Sequence, residues 1–319
     1  MSVLSTAAVK IAFLDGLSSP EKATIWEEQL RAYLPNLEFV SLNTAEADDA
    51  EVALVWQPPA GRLASLPKLK IILSLGQGVD HLFSDPDLPS HIPVCRIVDP
   101  HMSVAMGHWV ISCLLDHLRH GPAYRSQQSK HLWHGHNQID HRQVQVGIYG
   151  IGAIGATVAQ MVAGLGFPVS GWSRSQKQYD GIDCHSGVAG FQHMLTSCQY
   201  HICLLPLTND TGGLFDKDAF ARMPKGAYFM NGGRGGHVIE DDLLAAVRSQ
   251  HLSGAALDVF QLEPLPEDSP LWDEEQISIF PHVAAQTEPH TAVTQIATAI
   301  ADSIDGRAPA HQVAMTKGY

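Results

Sequence analysis

Three short segments carry side chains able to bind an anion and move a proton. They are Asn231-Gly232-Gly233-Arg234-Gly235, Leu257-Asp258-Val259-Phe260 with Glu263-Pro264-Leu265-Pro266, and Pro281-His282-Val283-Ala284. Arg234, Glu263 and His282 each follow an apolar run that reads as a strand. A guanidinium is a permanent cation with a planar fork that suits a carboxylate. An imidazole exchanges its proton near neutral pH, and a carboxylate beside it favours the protonated form and fixes the ring. Singly, each has a plain explanation: an exposed turn arginine, a loop acid before proline, a packing histidine. Together they make an anion holder with a proton donor.

A fourth segment supplies the context. Val144 to Tyr149 runs into Gly150-Ile151-Gly152-Ala153-Ile154-Gly155 and then a helix-forming stretch. Glycine spacing of this kind, with a strand before and a helix after, marks a dinucleotide-binding turn: the first glycine turns tightly, the second admits the pyrophosphate, and the third lets helix pack on strand. The next strand ends at Trp172-Ser173-Arg174-Ser175, where an NAD-selective site places a carboxylate. Arg174 stands there instead, with Ser173 and Ser175 as additional donors, and this predicts NADPH, with NADH weaker, because guanidinium binds a 2'-phosphate well. Pro206, after the run Tyr200 to Leu205, is grouped with the cofactor contacts. With a hydride carrier in place, Arg234 would hold the carboxylate and carbonyl of a 2-keto acid and His282 would protonate the oxygen that becomes a hydroxyl.

These groups need a scaffold. Apolar runs at Ile11 to Leu14, Leu37 to Val40, Val52 to Trp56, Ile71 to Leu75 and Val94 to Val98 read as strands, with a helix at Pro20 to Tyr33 started by Ser19 and Pro20. A second series reads as six strands: Val144 to Tyr149, Pro168 to Ser173, Tyr200 to Leu205, Ala227 to Asn231, Ala255 to Val259 and Ile277 to Phe280. Its helices are Ala153 to Leu165, Lys217 to Met223 and Glu240 to Ser249. This alternation predicts an α/β protein of two doubly wound parallel-sheet domains. Long apolar-periodic segments at Ser103 to Leu118 and Pro289 to Ile304 suit helices that cross between domains. The expected division is a discontinuous substrate domain, 1–102 and 287–319, around a dinucleotide-binding domain, 103–286.

Bulk properties fit. The chain has 319 residues, long for one core, with 45% hydrophobic and 17% charged residues. A formal net charge of −13 opposes nucleic acid or an anionic membrane as partner. Five cysteines, Cys95, Cys113, Cys184, Cys198 and Cys203, are odd in number and lack close-paired metal spacing, which speaks against a disulfide framework or a zinc site, and no apolar run approaches a membrane span. A soluble cytoplasmic protein without a metal is expected, its 18 histidines being scattered.

With these motifs in order, the sequence resembles the D-2-hydroxyacid dehydrogenase family over nearly its whole length. The resemblance implies that Arg234, Glu263 and His282 are catalytic, that Asp258 holds the nicotinamide carboxamide, and that the protein is a homodimer built mainly through its nucleotide domains. It implies a flavodoxin-like substrate domain whose loop Leu75-Gly76-Gln77-Gly78-Val79-Asp80 holds the substrate carboxylate on backbone N–H groups. Family members more often carry Ala at the place of Gln77, and Ala or Ser at that of Gly233. Val55-Trp56-Gln57-Pro58-Pro59, the Trp172 to Ser175 turn and the Gly318-Tyr319 ending resemble the glyoxylate/hydroxypyruvate reductase A subgroup, in which Trp56 would wall a pocket for a short substrate. Two other readings share the scaffold: an NAD-using enzyme for another 2-keto acid, and a non-catalytic nucleotide-sensing, corepressor-like binding protein.

Overall fold

Val52–Trp56 and Ile71–Ser74 are apolar almost without interruption, the pattern of strands covered on both faces. In the computed structural model, which describes residue 5 and residues 7–15 and 20–313, both become inner strands of a parallel sheet. The chain divides into two compact units, one holding the residues up to His101 and from Thr287 onward, the other Met102–Gln286. Ser19 and the Gly318-Tyr319 ending lie outside the described residues.

The first unit contains β1 (Val9–Asp15), β2 (Leu37–Ser41), β3 (Val52–Trp56), β4 (Ile71–Ser74) and β5 (Val94–Cys95). Among the described residues these form one parallel sheet in the order β2-β1-β3-β4-β5, the flavodoxin-like arrangement. Ala12, Val55, Leu63, Ile72 and Leu82 lie in its buried core. The helices Pro20–Arg31 and Pro289–Ile304 pack together, and beyond the second Gln312 bridges antiparallel to Cys95.

The second unit contains β6 (Val146–Tyr149), β7 (Val169–Ser173), β8 (Asp183–Ser186), β9 (Tyr200–Cys203), β10 (Ala227–Asn231), β11 (Leu252–Leu257) and β12 (Ile277–Ile279). Among the described residues they form one parallel sheet ordered β12-β11-β10-β9-β6-β7-β8, the Rossmann order extended by one strand. The sequence predicts six strands here and the structure has seven. The missed strand β8 is an edge strand with no buried residue, so it carries no apolar run. Helix Gly187–Ser197, which follows it, was not anticipated either. Helices Ala153–Gly164, Lys217–Arg222 and Glu240–Arg248 each end one residue before the predicted boundary. Helix Pro100–Leu118 begins before Ser103: proline suits a first turn, and the Asp99 carboxylate accepts the His101 N–H at 2.9 Å.

Apolar layers cover both faces of this sheet. Tyr149, Phe191, Phe215 and Phe229 belong to one buried cluster, and Val146, Ile148, Val158, Ile202 and Met230 to another. Among the described residues no helix is long and apolar enough to cross a membrane.

Candidate active site

β6 and β9 are neighbours at the centre of the Rossmann sheet, and the turn after β6 opens helix Ala153–Gly164. Gly150 has φ +104°, and a Cβ there would lie 2.6 Å from the Leu204 carbonyl oxygen. A Cβ on Gly155 would lie 2.0 Å from the Gly150 oxygen, so helix and turn meet only through glycine. Gly152 differs: a Cβ there would meet nothing within 4 Å. That open space lies at a helix start, where unsatisfied N–H groups and the helix dipole favour an anion. The turn therefore fits a dinucleotide pyrophosphate.

At the end of β7, Arg174 and Ser175 are exposed, as a 2'-phosphate contact requires. The Ser173 hydroxyl donates to the Ser175 carbonyl at 2.7 Å, so it shapes the turn instead of offering a free donor. Pro206, exposed beyond β9, accepts the Thr211 hydroxyl at 2.7 Å.

Arg234, Glu263 and His282 follow β10, β11 and β12, three consecutive strands. His282 Nδ1 lies 2.8 Å from Glu263 Oε2, and the other carboxylate oxygen accepts the Phe260 N–H at 3.0 Å. Burial would raise the Glu263 carboxyl, but the hydrogen bonds from His282 and Phe260 and the nearby charges of His282 and Arg234 outweigh it and hold it below its usual value. His282 has φ +56°, a left-handed conformation costly for a non-glycine residue. Asp258 holds it there: the Asp258 carbonyl accepts the His282 N–H at 2.9 Å, and its carboxylate accepts those of Val283 at 2.8 Å and Ala284 at 3.0 Å. Burial pushes the Asp258 carboxyl up, to about 6. Gly235 brings Arg234 toward this group, since a Cβ there would lie 1.8 Å from the Phe260 carbonyl carbon.

In the first unit, the loop after β4 is stapled by Ser74, whose hydroxyl accepts the Gly76 N–H and donates to the Gly78 carbonyl, both at 3.2 Å. Gly76 is therefore not a free donor, while the N–H groups of Gln77 and Gly78 have no protein acceptor among the described residues. Trp56 lies against this loop: a Cβ on Gly76 would be 2.4 Å from its ring. Trp56 also contacts His81, ring centroids 4.3 Å apart.

The family described as D-isomer specific 2-hydroxyacid dehydrogenase, NAD binding domain, matches residues 111–284. The chain is 35% identical to the glyoxylate/hydroxypyruvate reductase A of Yersinia enterocolitica over 93% of its own length and 97% of that protein's. The chain belongs to the D-isomer-specific 2-hydroxyacid dehydrogenases. A solved dehydrogenase of this family from Xanthobacter autotrophicus, in complex with NADPH and MES, superposes with a TM-score of 0.89 at 35% identity, over 98% of this chain and all of that one. The NADPH-dependent glyoxylate/hydroxypyruvate reductase of Sinorhizobium meliloti, in complex with NADP and sulfate, gives 0.89 at 33% identity with the same coverage.

Two supports of the dehydrogenase's arginine escape a motif reading. The Asn231 side chain, wholly buried, donates to the Arg234 carbonyl at 2.9 Å and accepts the Gly233 N–H at 3.1 Å. His237, also wholly buried, accepts the Arg234 N–H on Nδ1 at 3.1 Å. A polar residue closing the apolar run Ala227–Asn231 is the signal that could have found Asn231; His237, in the short turn Gly235–His237, has none. Three residues beyond Arg174 in the chain, Lys177 lines a shallow surface pocket with Gln176, Gln178, Ile182 and Cys184.

Proposed function

We propose that the protein reduces a short 2-keto acid, glyoxylate or hydroxypyruvate, to the 2-hydroxy acid with NADPH. The observation that carries this reading is the His282–Glu263 pair at 2.8 Å, pinned by Asp258 at the ends of adjacent Rossmann strands. When bound, the nicotinamide supplies a hydride to the carbonyl carbon. The N–H groups opening helix Ala153–Gly164, together with Gly150 and Gly152, hold the pyrophosphate, and Ile151, Ala153, Ile154 and Gly155 form the rest of that turn. Arg174, aided by Ser175 and Lys177, takes the 2'-phosphate; Ser173 and Pro206 shape the edges of the nucleotide site. Arg234 neutralises the substrate carboxylate and polarises its carbonyl. His282 delivers a proton to the carbonyl oxygen from Nε2, while Glu263 holds Nδ1–H and stabilises the imidazolium. Besides pinning the His282 loop, Asp258 is the residue we assign to the nicotinamide carboxamide. In the first unit, which we assign to substrate, the N–H groups of Gln77 and Gly78 form a nest for the carboxylate and Trp56 is a wall.

We further propose a homodimer formed through the nucleotide-binding unit, at residues 130–140. Trp133 is fully exposed there and Leu132 and Ile139 are more than half exposed, an apolar surface that an isolated chain would leave in water. The cysteines Cys113 and Cys203, whose thiols burial pushes up to about 12, suit a reducing cytoplasm, where we place the protein.

Chiral analysis of the product tests the reaction. NADPH and hydroxypyruvate should give D-glycerate; L-glycerate, or no glycerate, would contradict the assignment.

A further inference from the structure

The carboxamide oxygen of Gln77 is buried and has no hydrogen-bond partner. An acceptor left bare in this way costs roughly 1–3 kcal/mol, so its place in the fold calls for an explanation. Gln77 stands in the loop after β4, beyond the carboxyl end of a parallel strand, where doubly wound sheets bind ligands. Its own N–H and that of Gly78 lack a protein acceptor among the described residues. The turn Leu75-Gly76-Gln77-Gly78-Val79 offers no other hydrogen-bonding side chain, and beside Gly76 it is faced by the Trp56 ring.

We infer that Gln77 determines substrate specificity by hydrogen-bonding a hydroxyl on the carbon next to the keto group, so that 3-hydroxy-2-keto acids are preferred over 2-keto acids lacking that hydroxyl. This rests on the reading that the loop holds the keto acid's carboxylate. With the carboxylate on the two N–H groups, the amide between them is the loop's remaining polar contact for the rest of a short substrate. A hydroxyl donates and accepts, so it satisfies the amide in either of its two orientations. A methyl group or a hydrogen at that position leaves the oxygen bare. A second carboxylate has no proton to give it. Sites built to hydrogen-bond a substrate hydroxyl reject analogues that lack it far more strongly than apolar pockets reject a missing methylene.

The test compares kcat/KM for hydroxypyruvate and pyruvate, which differ only in that hydroxyl, with glyoxylate as a third substrate, in the wild type, Gln77→Met and Gln77→Ala. Methionine keeps the length of the side chain without the amide, so it guards against a loop that collapses in the alanine variant. The wild type should favour hydroxypyruvate, and the ratio of hydroxypyruvate to pyruvate should fall about 5- to 150-fold in both variants, the equivalent of the unsatisfied bond. A ratio within twofold of wild type in both variants would overturn the role of Gln77 while leaving the reductase reading intact. So would a wild type that reduces all three acids equally well. Failure of the wild type to reduce any of them would remove the reductase reading and this inference with it.

Discussion

The Asp258 carboxylate accepts the main-chain N–H of Ala284 at 3.0 Å, two residues beyond His282, whose own N–H donates to the Asp258 carbonyl at 2.9 Å. One strand-end aspartate thus fixes the loop that carries the imidazole in its left-handed conformation. Glu263, held below its usual carboxyl range, then orients the ring through Nδ1. Replacing His282 by Ala should lower turnover about 10²- to 10⁴-fold, the span of general acid catalysis, with NADPH affinity little changed. Cofactor titration by fluorescence separates the two effects; a parallel loss of affinity would count against the proton-donor role.

Arg174 and Lys177 should set cofactor preference. Arg174→Ala is expected to weaken NADPH binding about 10- to 100-fold, as for loss of a charge-assisted hydrogen bond, and NADH binding far less, since only NADPH carries the 2'-phosphate. Lys177→Ala should act in the same direction more weakly. Equal weakening of both nucleotides, measured as dissociation constants, would remove the selectivity argument.

Gly235 should not tolerate a side chain. A Cβ 1.8 Å from the Phe260 carbonyl carbon displaces backbone, not a flexible side-chain end. Gly235→Ala should therefore lower the urea unfolding midpoint by the equivalent of about 2 kcal/mol or more and cut kcat/KM, because Arg234 precedes it and Phe260 donates to Glu263. An unaltered unfolding curve would show that the loop rearranges freely.

Stability should fall toward acid. Burial lowers His201 to about 3, its Nδ1 resting 2.9 Å from the Tyr149 hydroxyl, and lowers His117 to about 4, its Nδ1 2.7 Å from that of Tyr200. For a group depressed on folding, the stabilisation is full above the unfolded value near 6.5 and is lost as pH falls through the folded one. These two account for roughly 3–5 kcal/mol each at most, released between about pH 6.5 and 3. Asp258, raised to about 6, works oppositely: its contribution is full below about 4 and gone above 6. The histidines outweigh it, so urea midpoints should drop between pH 7 and 4, and His117→Phe should flatten that drop. An unchanged slope in the variant would discount His117.

Most of the scaffold was legible because buried parallel strands are apolar runs with few alternatives, as β3 and β4 illustrate. β8 was not, since Asp183, Cys184, His185 and Ser186 lie at an edge and bury nothing completely. The strand-end positions of Arg234, Glu263 and His282 followed from the motifs, as did the pairing of Glu263 with His282, 19 residues away, while its 2.8 Å geometry depends on how the loops after β11 and β12 pack. Asn231 and His237 escaped because their work is done on backbone atoms of their neighbours, which no spacing rule registers. The Ser173 hydroxyl, expected to be a ligand donor, is held by the Ser175 carbonyl because a tight turn satisfies its own polar groups first.

The most direct measurement follows absorbance at 340 nm with NADPH and NADH in parallel, against glyoxylate, hydroxypyruvate, pyruvate and a longer 2-keto acid. The account predicts faster turnover with NADPH than with NADH, and with glyoxylate or hydroxypyruvate than with the longer acid. Tight NADPH binding without turnover of any of the four would contradict it and favour a nucleotide-sensing role on the same fold.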